Sequence, residues 1–192
     1  MPPKTKITKE MIIDAAFEIT RTEGADKLTA RRISEYLNCS TQPVLYQFET
    51  VEEIRQAVYQ MADQYQTDYL MNVDENCENP MLEIGMNYIR FAVEESNLFQ
   101  FLFQSNEFSG ESLLQLIETP DLAPMLALLQ EEAGTTMEQA KEIFTILVVF
   151  VHGYASFFAN NSMVFNESDL MRKIEKVFEG AFYMTKEDEK DE

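Results

Sequence analysis

The chain has 192 residues, of which 45% are hydrophobic, so it is long enough to bury a substantial apolar core. Six glycines and six prolines, together with many helix-capping residues, predict an all-α protein of about nine helices. The two cysteines, Cys39 and Cys77, fit neither a disulfide framework nor a zinc site, and no signal peptide is visible. We therefore expect a cytoplasmic protein without cofactors or metal.

The net charge of −19 is distributed unevenly along the chain. Residues 1–55 contain eight basic and nine acidic side chains, whereas residues 56–192 contain seven basic and twenty-five acidic ones. Any contact with DNA phosphates is therefore expected from the N-terminal segment, and the acidic remainder should keep the other surfaces away from DNA.

The first predicted helix has clear end signals. Thr8 is a typical N-cap and Gly24 a typical helix-ending residue. Residues 1–7 precede this helix and contain Lys4 and Lys6. This arm either contacts DNA or forms a solvated tail.

The stretch 28–48 predicts two short helices around a tight turn. Apolar residues recur there at helical spacing, namely Leu28, Ile33, Leu37, Val44 and Leu45. Thr29 and Ser40 are expected to cap the two helices through their hydroxyls. Asn38 tolerates the left-handed conformation that ends a helix, and Pro43 fits the first turn of the second helix. The pattern suits an ordinary helical hairpin or a DNA-binding helix-turn-helix.

These residues resemble the helix-turn-helix of the TetR family of transcriptional regulators. The resemblance is carried by Gly24, Leu28-Thr29, Arg32-Ile33, Tyr36-Leu37, Ser40, Leu45-Tyr46 and Phe48, and by a Cys-Ser-Thr-Gln-Pro turn at 39–43 typical of one subtype. It implies a helix-turn-helix DNA-binding domain at 1–50 and a helical ligand-binding and dimerisation domain at 51–192. The sequence departs from the family pattern where a lysine is common, because Glu49, Thr50 and Val51 begin the fourth helix.

The predicted DNA contacts lie on the second helix of the motif and at the start of the first: Thr29, Ser40, Thr41, Gln42, Pro43, Val44, Tyr46 and Gln47. Gln42 can bond bidentately to adenine, and the hydroxyls of Ser40 and Thr41 can reach bases or phosphates. Pro43 and Val44 offer apolar contact to a thymine methyl group. Gln47 and Tyr46 should reach backbone phosphate, a role that the resemblance implies for Tyr46 and Thr29.

Later helices are also bounded by local signals. Thr50 and Glu53 form a capping box for a helix reaching about Val73, and Asn79-Pro80 begins the next, with a break near Ser96-Asn97. Short helices follow at 111–118 and from Thr119-Pro120 to Gly134. A second capping box at 135–138 opens an apolar helix over 140–159, which is too short in apolar residues for a membrane span. The final helix covers about 168–184.

Apolar and aromatic residues of the body can line a pocket for a small apolar or aromatic ligand, which is the kind of inducer that the resemblance implies. The candidates are Tyr65, Tyr88, Phe91, Phe103, Met125, Phe144, Val148 and His152. Each of them also fits a plain core position. His152 is the one histidine of the chain and lies in an apolar helix, where it is either a hydrogen-bonded core residue or a polar anchor for ligand.

The last two helices carry a seam suited to a symmetric dimer. Its residues are Gly153, Leu170, Ile174, Val177, Phe178 and Ala181. The resemblance implies dimerisation through these helices, whereas the alternative is that the seam closes the subunit's own core.

No catalytic triad, phosphate loop or nucleotide-binding fingerprint is present, so we do not expect an enzyme. The sequence favours a homodimeric DNA-binding transcriptional regulator, a repressor released from its double-stranded operator by a small ligand, with no membrane partner. The alternative is a helical small-molecule sensor or carrier that does not bind specific DNA.

Overall fold

The computed structural model describes residues 7–104, 122–161 and 163–188, and all regular structure within these ranges is helical. The predictions of an all-α fold and of about nine helices are confirmed. The nine described α-helices are α1 (Lys9–Glu23), α2 (Ala30–Tyr36), α3 (Thr41–Gln47), α4 (Val51–Met71), α5 (Pro80–Glu94), α6 (Ser96–Gln104), α7 (Ala123–Ala133), α8 (Met137–Asn160) and α9 (Glu167–Asp188). The predicted helix at 111–118 and the start at Thr119-Pro120 lie outside the described residues.

The chain divides into two compact units. The described residues of the first unit are 7–68 and 95–104, and those of the second are 69–94, 122–161 and 163–188. The chain passes from the first unit to the second within α4 and returns at the break between α5 and α6. The functional division at residue 50 stays a prediction.

Local capping chemistry explains most helix ends. The Thr8 hydroxyl accepts a hydrogen bond from the backbone N–H of Met11 at 3.3 Å, and the Asn79 side chain accepts one from Leu82 at 3.1 Å. Gly24 and Gly134 end their helices with φ of 92° and 60°, where a Cβ would be strained. These four predicted signals are confirmed.

The capping box of α8 lies one residue later than the sequence predicts. Thr136 accepts from the N–H of Gln139 at 3.3 Å, and the Gln139 side chain accepts from the N–H of Thr136 at 2.9 Å. Thr135 cannot serve as the cap, because its own N–H bonds to the carbonyl of Gln130 and completes the end of α7.

The first unit is built around α1, which packs against α2, α6 and a 3-10 turn at Ala25–Lys27. Fully buried aliphatic side chains, among them Ile12, Ile19 and Ile33, form its interior. Helix α2 packs directly against α3. The two helices of the motif therefore rest on the scaffold that α1 supplies.

The second unit is organised around α8, which packs against α5, α7 and α9. Helix α8 has 24 residues and is long and apolar enough to cross a membrane, with a third of its apolar window buried against other helices. By length and apolar composition alone the helix could therefore cross a membrane, but the core helix of a globular protein meets the same criterion. The expectation of no membrane partner stays a prediction.

Candidate nucleic-acid interface

The turn between α2 and α3 has the geometry that its residues dictate. The Thr29 hydroxyl caps α2 by accepting from the N–H of Arg32 at 3.1 Å. Asn38 takes φ of 50°, the left-handed conformation predicted for it, and Cys39 donates its N–H to the Ser34 carbonyl at 2.9 Å. These bonds close α2 and leave the chain free to begin α3 two residues later.

Ser40 occupies the N-cap position of α3, but its hydroxyl forms no capping bond. The prediction of a side-chain cap is wrong at this residue. A cap hydroxyl usually accepts from the N–H two or three residues later, and the third residue here is Pro43, which has none. The Ser40 side chain is exposed.

Helix α3 separates into an anchoring face and an exposed face. Val44 is fully buried and Phe48, just after the helix, is 7% exposed. Thr41 and Gln42 are exposed, and Tyr46 is 85% exposed. Thr41 and Gln42 at the start of α3 and Tyr46 in its last turn are therefore all exposed to solvent.

One predicted DNA contact on α3 is buried. Val44 was expected to contact a thymine methyl group, but its complete burial removes it from any DNA surface. Leu45, its neighbour in the same apolar pattern, is 56% exposed. Because α3 has only seven residues, its apolar pattern is compatible with burial of either Val44 or Leu45. Packing against α2 decides which of the two is buried.

The remaining predicted contacts differ in their availability. Thr29 is exposed although its hydroxyl caps α2, and Pro43 is half-buried. The Gln47 side chain is half-buried and donates from Nε2 to the carbonyl of Ile7 at 3.1 Å. Gln47 therefore holds the start of the described chain against the end of α3.

The described arginines of the first unit all pair with carboxylates. Arg31 pairs with Glu35 at 2.9 Å, and Arg32 with Glu23 at 2.5 Å. Hydrogen bonding by Arg32 lowers the pKa of the Glu23 carboxyl. Arg21 pairs with Glu95, and Arg55 with Glu52 (Arg55 also donates to the carbonyl of Ala25). Exposed pairs contribute little to stability, so Arg31 can exchange its carboxylate for a phosphate.

The predicted ligand-binding residues are divided between the two units. Tyr65 and Phe103 belong to the first unit. In the second unit, the Tyr88 hydroxyl and His152 Nδ1 form a hydrogen bond of 2.8 Å, and burial raises the pKa of Tyr88 and lowers that of His152. Both expectations for His152 remain open, because a hydrogen-bonded core residue and a polar anchor would each use this bond.

The other ligand candidates are core residues of the second unit. Phe144 lies in a buried cluster against which Met125 and Val148 pack. Phe91 is fully buried and meets the Tyr69 ring edge-on at 5.5 Å. A surface groove has a different lining, formed by Val164, Phe165, Asn166, Glu167, Ser168 and Met171. None of the predicted ligand-binding residues borders this groove.

The predicted dimer residues on α9 mostly face the subunit interior. Leu170, Ile174 and Ala181 are buried within a single chain, and Val177 and Phe178 are half-buried against the same core. A second subunit could not contact the three buried residues without opening that core. Gly153, on α8, is different, because a Cβ at this position would meet no atom within 4 Å.

Helix α8 carries an exposed apolar stripe that was not predicted from the sequence. Ile146, Val149 and Phe157 are 38%, 58% and 62% exposed, and with Gly153 they are spaced by three or four residues along one face. The periodicity of this face was hidden because α8 is apolar on its other sides as well. We refer to Ile146, Val149, Gly153 and Phe157 as the α8 stripe.

Within the ranges that the structure describes, no group of three or more His, Cys, Asp or Glu residues is placed to hold a metal ion. Comparison with known proteins adds no assignment, since neither a protein-family model nor a curated protein matches this chain.

Proposed function

We propose that the protein is a dimeric DNA-binding transcriptional regulator of the TetR type, a repressor that a small apolar or aromatic ligand releases from its operator. The observation that carries the proposal is the exposed face of α3, where Thr41, Gln42 and Tyr46 face solvent while Val44 anchors the helix. A short helix so anchored can enter a major groove with its polar side chains first.

The DNA contacts that we propose follow from these exposures. Gln42 bonds to an adenine edge, and Ser40 and Thr41 bond to neighbouring bases or phosphates. The exposed hydroxyl of Tyr46 and the start of α2 at Thr29 contact backbone phosphate. Val44 is excluded because it is buried, and Gln47 is excluded because its amide is bonded within the protein.

The dimer that we propose uses the α8 stripe. Antiparallel helices related by a twofold axis at Gly153 would place Val149 against the partner's Phe157, because each lies four residues from the glycine. Two DNA-reading helices separated by one helical turn of DNA, about 34–36 Å, require such a dimer.

Ligand control would act as a population shift. A ligand that binds better to a conformation in which the two α3 helices no longer match successive major grooves would lower DNA affinity. By linkage, operator DNA would weaken ligand binding by the same factor. The polar Tyr88–His152 pair in the apolar second unit is the feature that supports a ligand contact there.

One observation favours the alternative of a carrier or sensor that binds no specific DNA. The four described arginines of the first unit are already paired with carboxylates, so each brings its positive charge to DNA only after giving up or sharing that partner. Electrostatic attraction of the protein to DNA would then depend on these arginines exchanging their carboxylate partners for DNA phosphates.

The test is selection from a random duplex library by the full-length protein, followed by fluorescence anisotropy on the selected and a scrambled duplex across a salt series. The proposal expects a two-part palindromic sequence bound by two protomers, with the scrambled duplex bound far more weakly and with steeper loss in salt. Equal and weak binding to both duplexes would overturn the proposal and leave the carrier function.

A further inference from the structure

The break between α5 and α6 places a carboxylate against the end of α1. Glu95 is the single residue between the two helices, and it is 9% exposed. Its two oxygens accept from the Arg21 guanidinium in a fork, from Nε at 2.8 Å and from Nη2 at 2.5 Å. The Tyr65 hydroxyl of α4 donates to the same carboxylate at 3.2 Å.

Aromatic and backbone contacts complete this arrangement. The Arg21 guanidinium lies over the Tyr65 ring at 5.4 Å, and the edge of that ring meets Phe17 at 5.5 Å. Asn97, in the first turn of α6, donates from Nδ2 to the Arg21 carbonyl at 2.9 Å. Arg21 of α1 and Tyr65 of α4 therefore converge on the Glu95 carboxylate, and Asn97 of α6 holds the backbone of Arg21 within the same unit.

Stability alone is a weak reason for such a site. Burying the Glu95 carboxylate costs desolvation free energy, the paired Arg21 side chain remains 35% exposed, and an apolar cluster of the same volume is often at least as stable. What a bidentate ion pair adds is geometry, since the planar fork of arginine accepts only a narrow range of carboxylate positions. The hydrogen bonding of Glu95 also raises the pKa of Arg21, so the guanidinium stays charged.

The position of Glu95 in the chain suggests what that geometry controls. Glu95 is the first residue of the first unit after α5, which belongs to the second unit. A shift at the end of α5 must move the Glu95 backbone, because the two segments are covalently joined. Arg21 lies in the last turn of α1, the helix against which α2 packs.

We propose that Arg21, Glu95 and Tyr65 form a positioning latch that holds α1, and through it the helix-turn-helix, in the arrangement that reads DNA. The proposal rests on the proposed function. A displacement at the α5–α6 break opens the latch, and α1 then loses its fixed position relative to α4 and α6. None of the three residues contacts DNA in this account.

The experiment compares Glu95→Gln, Tyr65→Phe and Arg21→Lys in the full-length protein with two adjacent controls. Tyr69 follows Tyr65 by one turn, and its hydroxyl donates to the exposed Glu94 carboxylate at 2.6 Å, so Tyr69→Phe and Glu94→Gln make the same chemical changes outside the latch. Affinity for the selected duplex is measured at a temperature where circular dichroism shows every variant folded. Amide hydrogen exchange is read separately for α1 and α8.

Glu95→Gln is expected to weaken operator binding about tenfold and to raise exchange in α1 by a similar factor while α8 is unchanged. Tyr65→Phe should give a smaller change in the same direction, and Arg21→Lys should retain part of the affinity because it keeps the charge but loses the fork. Both control variants should match the wild type.

Two results would overturn the latch. One is unchanged exchange in α1, and the other is faster exchange in α1 with unchanged DNA affinity, which would mean that the triad is only structural. Failure of the proposed function is distinguishable from both, because the wild type itself would then select no sequence from the library.

Discussion

Gln42 is the residue that the proposed mode of DNA reading depends on most directly. Its side chain is exposed at the start of α3, where an amide can donate to and accept from one adenine edge. Gln42→Ala should therefore lose about 1–3 kcal/mol of discrimination at one base pair. Anisotropy with duplexes that vary at each position would locate that base pair.

The matched control for this change is Gln64→Ala, since Gln64 is an exposed glutamine on α4 that bonds to Asp68. It should leave DNA binding unchanged. Equal losses by Gln42→Ala on the selected and scrambled duplexes would show that Gln42 contributes no base reading.

His152 gives the protein a predictable response to pH. Burial lowers the pKa of His152 below the ordinary histidine value of about 6.5, so the folded state binds this proton less readily than the unfolded chain does. As the pH falls below about 6.5, the unfolded state takes up the proton first and the free energy of unfolding decreases. Urea unfolding between pH 5 and 7 should show this loss, and His152→Gln should abolish it.

Tyr88→Phe separates titration from hydrogen bonding. This variant removes the 2.8 Å bond to His152 but leaves the imidazole in place. We expect it to lower stability at every pH and to keep the pH dependence of the wild type. If His152→Gln retained the wild-type dependence, the responsible group would be a carboxylate instead.

At the scale of elements, the α8 stripe is the surface on which dimerisation should depend. Val149 is exposed in the single chain, so Val149→Glu adds a charge without burying it in the fold. Two such charges in a twofold interface would be desolvated without partners. Sedimentation should therefore give monomers that bind the palindrome poorly.

Two controls define this result. Met71→Glu, at an exposed apolar site on α4, should leave the dimer intact. In a chain without native cysteines, Val149→Cys with Phe157→Cys should crosslink two subunits, whereas either change alone should not. An unchanged sedimentation profile for Val149→Glu would show that the α8 stripe is not part of the dimer interface. Flotation of the wild-type protein with lipid vesicles would indicate instead that the stripe contacts a membrane.

Val177 illustrates why an interface has to be chosen from exposure. A charge at Val177, on the predicted seam, would be placed against the core cluster of the second unit. Monomers produced by such a variant would report damage to the fold rather than loss of an interface. The α8 stripe avoids this ambiguity because its side chains are exposed in the single chain.

For the molecule as a whole, we expect charge pairing to set the affinity for DNA of any sequence. The chain carries a net charge of −19, and Arg31 and Arg32 are paired with Glu35 and Glu23. The double change Glu23→Gln and Glu35→Gln should release both arginines. Binding to scrambled DNA should strengthen, and its salt slope should steepen by about one to two counterions.

The same change in net charge can be made far along the sequence. Glu175 and Glu179 are exposed on α9, and converting both to glutamine alters the total charge equally. This control should affect DNA binding much less, because Arg31 and Arg32 keep their pairs with Glu35 and Glu23 in this variant. Equal effects of the two double changes would mean that total charge, and not pairing, governs the affinity.

The helix ends and the all-α class could be read from the sequence because their causes are local. Thr8, Thr29 and Asn79 cap within three residues, and Gly24 and Asn38 adopt positive φ angles that glycine and asparagine tolerate. Such interactions are the same whatever the rest of the chain does. The capping residue of α8 is Thr136 and not Thr135, which local signals alone could not decide. The reason is that the N–H of Thr135 bonds to the end of α7.

The sequence by itself thus determined the helices and the chemical character of the residues exposed on α3, since spacing and capping act over a few residues. Only the tertiary structure decided which apolar faces are inside. Val44 rather than Leu45 is buried, and Leu170 and Ile174 face the core of their own subunit. The sequence does not decide this, because an apolar side chain gains the same hydrophobic free energy whichever surface removes it from water. The Arg21–Glu95 pair joins residues 74 positions apart. No spacing pattern in the sequence predicts which carboxylate a single arginine will pair with at that distance.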